Sequence, residues 1–455
     1  MIFQACQRSL TTRILRAAAF PGVLAAVLLL AAPDSARADR KHAATKAGPE
    51  APRGELATSR RTVLSPPFRH ALVFNGGSLD MHVLFGMYDA AVESGNPPDL
   101  IVASCGAALG AAVLRAMPDP EVRKSFTRSH RFYTYMRRLR YSDLSLFDVY
   151  TDLRRLGHLA VEQSDPHSPH REVPDAFYRR SIMHPDNQYI YDEISLGFDD
   201  KVPGAPEIVL LANRLLFTQE DVGRRPEPGE RLYEETVFCS TRVARLLRAM
   251  PLRSAVNAAF PDSFIGPGVA YETGYSLAEA ARFSYTDPYL VPLAGPYLTG
   301  AVNELTSYEI ARLAREATIR YAPQWDRIDG NLMKKFFGHD PWSTNEIFAS
   351  LYADRWIDTA DRDYKSLARN IGFAPTPRAV ATLGLRVKTN IPKLSHRRFL
   401  RLVRTQEEYG RARYEQAAKR PPNSREHIIE RYDFGLPREE LDRVRAENRA
   451  QFKLD

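Results

Sequence analysis

The stretch LIVASCGAALGAAVL, Leu100–Leu114, decides the fold. Residues Leu100 to Ala103 have strand character and run straight into a row of small residues, with Ser104 and Cys105 side by side at the junction. An apolar run followed at once by a small-residue helical pattern is the strand, tight turn and helix unit of a parallel sheet. The same plan stands just upstream. There HALVFNGG gives a strand from His70 to Phe74 that ends in a glycine pair. MHVLFGMYDAAVES continues as a helix with Leu84, Met87, Tyr88 and Ala91 on its apolar face. Two successive units of this kind predict an α/β fold with a mainly parallel sheet between helices.

Downstream, EIVLLANRLLF (Glu207 to Phe217) reads as a buried strand and RLYEETVFCS as its partner, with further strands expected near YLVPL (Tyr289 to Leu293) and in GPYLTGAV. Between Pro118 and Asn187 the text is charged and mostly helical. It is an insertion whose Leu146, Phe147, Tyr150 and Leu153, at helical spacing, either pack down on the sheet or line a lid. After about Arg315 the pattern turns to helices and loops carrying Trp325, Trp342 and Trp356. The α/β domain is therefore expected over 68–315 and a helical C-terminal region over 316–455. In that region KLSHRRFLRLVRTQEEYGRARYEQAAKR places Phe399, Leu402, Val403 and Tyr409 on one helical face and arginines on the other. Such a helix either packs on its apolar stripe or meets an anionic membrane.

The N-terminus is of a different kind. Arg8, Arg13 and Arg16 precede an apolar run from Ala17 to Ala32, and Ala36-Arg37-Ala38 follows. That order is a secretory signal peptide over 1–38, and it predicts export to the periplasm or outside the cell. The alternative, an uncleaved anchor, suffers from a run shorter than the roughly 20 residues that span a bilayer. Residues 39–67, basic and alanine-rich with no apolar period, read as a flexible linker. The formal charge of +8 falls to +5 once the segment's four arginines and Asp34 are set aside. So mild a balance permits a membrane surface or acyl lipid as partner, and no spacing here suggests nucleic acid. With Cys6 in the signal, Cys105 and Cys239 are too few for a disulfide framework. The histidines show no metal-ligand spacing, and no cofactor is implied.

An α/β acyl hydrolase needs a nucleophile on a strained strand-to-helix turn with small neighbours, backbone N–H groups for the oxyanion, and a group to take the nucleophile's proton. The elbow here admits two registers. With Cys105 at the apex, Ala103 and Ala107 fill the two small-residue positions. With Ser104 there, Gly106 is recovered but Val102 falls where only a small residue fits. The turn's sterics favour Cys105, whose thiol would sit at the positive end of the following helix.

The order of these blocks resembles the patatin-like phospholipase family over about Phe68 to Ala311. That family's pattern is GGGxRG, then GxSxG, then ASxAxP, then DGG or DGA with the catalytic Asp of a Ser/Asp dyad. The resemblance implies a patatin-like fold and a lipid acyl hydrolase ancestry. It implies an oxyanion loop at Gly76, Gly77 and Ser78, with Asp80 where the family has Arg. Ser284 and Pro288 match the third block, where Asp287 is a candidate displaced carboxylate or a turn cap. Thr299 stands at the Asp position, and a threonine hydroxyl is no base at neutral pH. The expectation is therefore an exported patatin-like protein, catalytically impaired and binding acyl lipid or a partner. The alternative is an active acyl ester hydrolase using Cys105 or Ser104.

Overall fold

The computed structural model describes residues 66–76, 80–138, 188–249, 263–286, 291–321, 353–359 and 395–420. It also describes short pieces at 140–141, 172–175, 177–178, 183–184, 254, 256–257, 336–338, 379–381 and 387–389. The expected signal peptide, almost all of the linker, and Leu146, Phe147, Tyr150 and Leu153 lie outside these residues, as do Trp325 and Trp342.

In chain order the elements begin with β1 (Phe68–Phe74), α1 (Met81–Glu93), β2 (Leu100–Ser104), α2 (Gly106–Ala116), α3 (Pro120–Thr127), α4 (His130–Arg138), β3 (Arg140–Tyr141) and β4 (Met183–His184). Next come α5 (Gln188–Glu193), β5 (Glu207–Leu215), β6 (Tyr233–Phe238), α6 (Thr241–Ala249), β7 (Ile265–Glu272), α7 (Leu277–Ser284), β8 (Tyr297–Thr299) and α8 (Glu304–Ala311). The chain closes with β9 (Ala314–Tyr321), β10 (Arg355–Asp358), β11 (Ala379–Ala381), β12 (Val387–Thr389) and α9 (His396–Ala418).

Eight strands make the main sheet in the order β10-β9-β1-β2-β5-β6-β7, with β8 paired to β5. The run from β10 to β5 is parallel throughout, whereas β6 and β8 pair antiparallel to β5. A parallel sheet is apolar on both faces because helices cover both. β2 shows this, with all five residues of LIVAS buried. One core layer joins α1, α2, α7 and α9 to one face of the sheet, and a second joins α6 and α8 to the other.

Helix α1 is buried beyond its expected stripe, and His82, Val83 and Phe85 are covered as well. The reason is packing on two sides. Against α2, a Cβ at Gly110 would lie 2.9 Å from the Cβ of Met81, so only glycine lets the helices approach this closely. Against α9, a Cβ on Gly86 would collide with the carbonyl of Glu407, and one on Gly410 with that of Val83. Helix α9 buries Phe399, Val403, Gln406, Gly410, Tyr414 and Ala417, a stripe at three- and four-residue spacing. Of the residues expected on that face, Leu402 and Tyr409 are only half-buried. Burying the large apolar members stabilises the docked helix by about 2 kcal/mol each.

Two expectations need correction. The region after 315 is not simply helical, since β9 lies between β1 and β10 in the sheet and crosses the expected boundary. Its sequence AREATIRY interrupts the apolar alternation with Arg320, whose charge is matched by a partner distant in the chain. The strand expected at Tyr289 to Leu293 is also absent from its described part. Val291 is in a bend and Pro292 and Leu293 are irregular; Pro292 has no N–H for a ladder and its carbonyl accepts from Arg282.

Candidate functional site

β2 ends at Ser104 and α2 begins at Gly106, so a single residue makes the turn. That residue is Cys105, with φ 55° and ψ −137°, the one non-glycine with positive φ among the described residues. Such a conformation costs an L-residue about 1–3 kcal/mol and persists only where its surroundings impose it. Ala103 and Ala107 on either side are wholly buried.

Ser104 occupies an ordinary strand position, opposite Leu211 of β5, and is fully buried. Its hydroxyl lies 3.5 Å from Asn75 Oδ1 and 3.4 Å from the N–H of Gly76, which donates to it. Ser307 of α8 donates to the same Asn75 oxygen at 2.9 Å. Ser104 thus ties the glycine loop to the sheet and faces the α8 side. Cys105 alone is at the apex.

The pairing of β5 shows what lies beyond the elbow. β2 accompanies β5 up to Leu211, and β8 takes up the pairing at Ala212, where Thr299 is the partner. β8 therefore continues the row that β2 leaves, and Thr299 arrives end-on to Cys105. Ser284, at the end of α7, links the two. Its Oγ accepts the Cys105 N–H at 2.9 Å and donates to Leu211 O at 2.5 Å, while its carbonyl accepts the Gly300 N–H at 3.2 Å. The helix carrying it begins in a capping box between Ser276 and Glu279. Gly300 must be glycine, because a Cβ there would strike the carbonyl of Leu211.

Thr299 is fully buried and held on three sides. Its N–H donates to Thr286 O at 2.9 Å, its carbonyl accepts from Asn213 Nδ2 at 2.7 Å, and its Oγ1 accepts the Ala301 N–H at 3.2 Å. The hydroxyl thus closes a local turn. Asp287 lies outside the described residues, as do Gly77 and Ser78 of the expected oxyanion loop. Gly76 is described and takes φ 63°, a left-handed turn that glycine adopts without strain.

Asp80 departs from expectation. Read from the sequence it is either a displaced carboxylate, as Asp287 could be, or a solvated loop charge, and its negative charge stands unfavourably beside the oxyanion loop. In the structure it is buried, and Arg320 Nη2 lies 2.7 Å from its Oδ2. Arg320 also donates to Asn75 O at 3.0 Å and to Thr359 Oγ1 at 3.1 Å, and its guanidinium lies 4.3 Å from the Phe74 ring centre. The charge that the loop carries is therefore neutralised from β9. Sequence reasoning missed Arg320 because its partner is 240 residues away.

It also missed Glu235 of β6, although the signal was present. In YEETVF, period two puts Glu235 on the same face as the buried Tyr233 and Val237. Glu235 lies opposite Asn213 of β5, and Thr306 donates to its Oε2 at 2.8 Å. Burial pushes its carboxyl up to about 7, against smaller opposing effects of hydrogen bonds from Thr306 and Ser254. Cys239, the other cysteine among the described residues, is buried, its thiol pushed up to about 12 by burial, and it forms no disulfide with Cys105. That state makes Cys239 a packing residue.

No protein-family model matches the chain, and no curated protein matches it either. The architecture is α/β with a mostly parallel sheet, and the chemistry of the elbow rests on its own geometry.

Proposed function

We propose that this is an exported patatin-like protein that binds acyl lipid at the Cys105 elbow and turns over esters poorly. The observation that supports the reading is a strained elbow at Cys105 beside a strand, β8, that takes up the β5 pairing where β2 leaves it and brings in Thr299, the residue at the position where the resemblance implies the dyad's carboxylate. Acylation would form a bond from Cys105 Sγ to the ester carbonyl carbon and expel the alcohol, which must gain the thiol's proton. Hydrolysis of the thioester would then need a base to activate water. A positioned base contributes typically 10²–10⁴-fold, and Thr299 cannot supply that.

The second reading, an active hydrolase with Cys105 as nucleophile, is favoured by the strain itself. A turn that costs about 1–3 kcal/mol relaxes easily once nothing uses it, since glycine at 105 would remove the cost. The neutral Asp80–Arg320 pair also removes the electrostatic objection to an oxyanion at this loop.

Ester hydrolysis by the mature protein, beside Cys105→Ala, Ser104→Ala and Thr299→Asp, separates the readings. The impaired acyl binder gives binding of a fluorescent fatty acid, little turnover, and a gain of turnover in Thr299→Asp that Cys105→Ala cancels. Full turnover lost only in Cys105→Ala establishes the hydrolase. Absence of fatty-acid binding together with absence of turnover in every variant overturns both.

A further inference from the structure

The outward face of α9 carries a second feature that the acyl site does not use. Arg397, Arg401 and Arg404 recur at i, i+4 and i+7, a stripe about 10 Å long, and Arg398 stands beside it. All four are exposed, and their guanidinium groups enter no ion pair among the described residues. The stripe lies opposite the buried stripe of Phe399, Val403, Gln406 and Gly410, so docking of the helix on α1 fixes the arginines outward. His130 at the start of α4 is exposed near the first turn of α9, its ring 5.4 Å from that of His396.

Charges elsewhere on this helix are spent differently. Glu407 is ion-paired with Arg128, and Arg411 with Glu93. From Ser395 to Arg404 the helix has no acidic residue, and the exposed Glu408 closes the stripe at its far end. Sorting of this kind gives one end of the helix a positive surface whose complement is an array of anions. The arginine stripe itself carries no Phe, Tyr or Trp on which a base could stack, which disfavours single-stranded nucleic acid. No described helix is long and apolar enough to cross a membrane, so contact with a bilayer through this face is peripheral.

We propose that the Arg397–Arg401–Arg404 face of α9 docks on an anionic lipid surface, with the guanidinium groups on headgroup phosphates. The proposal rests on the acyl-lipid reading above for its choice of a bilayer as partner. Its test does not involve the elbow. The full mature protein is floated with vesicles of phosphatidylcholine alone and with vesicles in which about a quarter is phosphatidylglycerol, at low and at physiological salt. Each arginine near such a surface is worth roughly fivefold in partitioning, so three together give roughly a hundredfold.

The expected result is partitioning to the anionic vesicles only, weakened by salt. It is lost in the triple variant Arg397→Gln, Arg401→Gln, Arg404→Gln and kept in the triple Lys variant. Thermal unfolding of each variant checks that the exposed substitutions leave the fold intact. Equal partitioning of the parent and the Gln variant overturns the proposal. So does binding to duplex DNA at physiological salt without binding to vesicles. Fatty-acid binding and hydrolysis of a monomeric ester, measured without vesicles, report the acyl reading separately, so either can fail alone.

Discussion

Arg320 of β9 and Asp80, the residue before α1, form a wholly buried ion pair at 2.7 Å. The pair joins the glycine loop to a strand that the chain reaches only 240 residues later. Buried pairs contribute little beyond what a well-packed apolar pair would, but removing one partner leaves an uncompensated charge and costs about 3–5 kcal/mol. Arg320→Met should therefore lower the urea midpoint sharply, and adding Asp80→Asn should recover part of the loss. A single variant as stable as the parent would rule out the pair as the loop's anchor.

Glu235 gives the protein a stability that depends on pH. Burial holds its folded carboxyl at about 7, above the ordinary 4.5 of the unfolded chain. Below 4.5 both states carry the proton and nothing is lost. As pH rises from there through 7, the unfolded chain releases the proton while the folded one retains it, so stability falls, by about 3 kcal/mol once both are ionised. Glu235→Gln should abolish this component and be the more stable protein at pH 9. Denaturation midpoints measured from pH 5 to 9 should show a downward slope in the parent that is flatter in the variant.

The backbone of Cys105 stores strain that a glycine would release. Cys105→Gly should be more stable than Cys105→Ala by about 1 kcal/mol. Chemical denaturation of the two variants reads the difference directly. Equal stability would mean that position 105 does not hold its left-handed turn in solution.

Gly86 and Gly410 set how closely α1 and α9 approach. Gly86→Ala and Gly410→Ala each place a methyl group against a backbone carbonyl of the other helix. Overpacking of this kind costs about 1–3 kcal/mol. Loosened docking should appear as faster protease cleavage within 395–420, and cleavage as slow as in the parent would count against this contact.

Local features made the first half of the site legible. Leu100 to Leu114 carries its own strand, turn and helix, and the alanines around Cys105 state the steric demand of the turn without reference to any other part of the chain. What sequence did not reveal depends on partners brought together by the sheet. Arg320 reads as a surface charge until β9 lies beside β1 and meets Asp80. Ser284 reads as one block of a resemblance until it is placed between the Cys105 N–H and the carbonyl of Leu211. The helical face of α9 was legible in outline, with Phe399 and Val403 inward. Gln406 and Gly410 were not, because a polar residue and a glycine show their place in a buried stripe only once the facing helix brings His82 and the carbonyl of Val83 against them.

The place of β9 has a practical consequence. β1 pairs with β2 on one side and with β9 on the other. A recombinant fragment ended at residue 315 would keep β1 while removing all but the first residues of the strand that covers its outer side. The bare N–H and C=O groups of an otherwise buried strand, carrying Leu72, Val73 and Phe74, would then be a template for pairing between molecules. Expression as aggregate is the expected fate of that fragment, and production of this protein has to carry the chain through β9 and its neighbour β10.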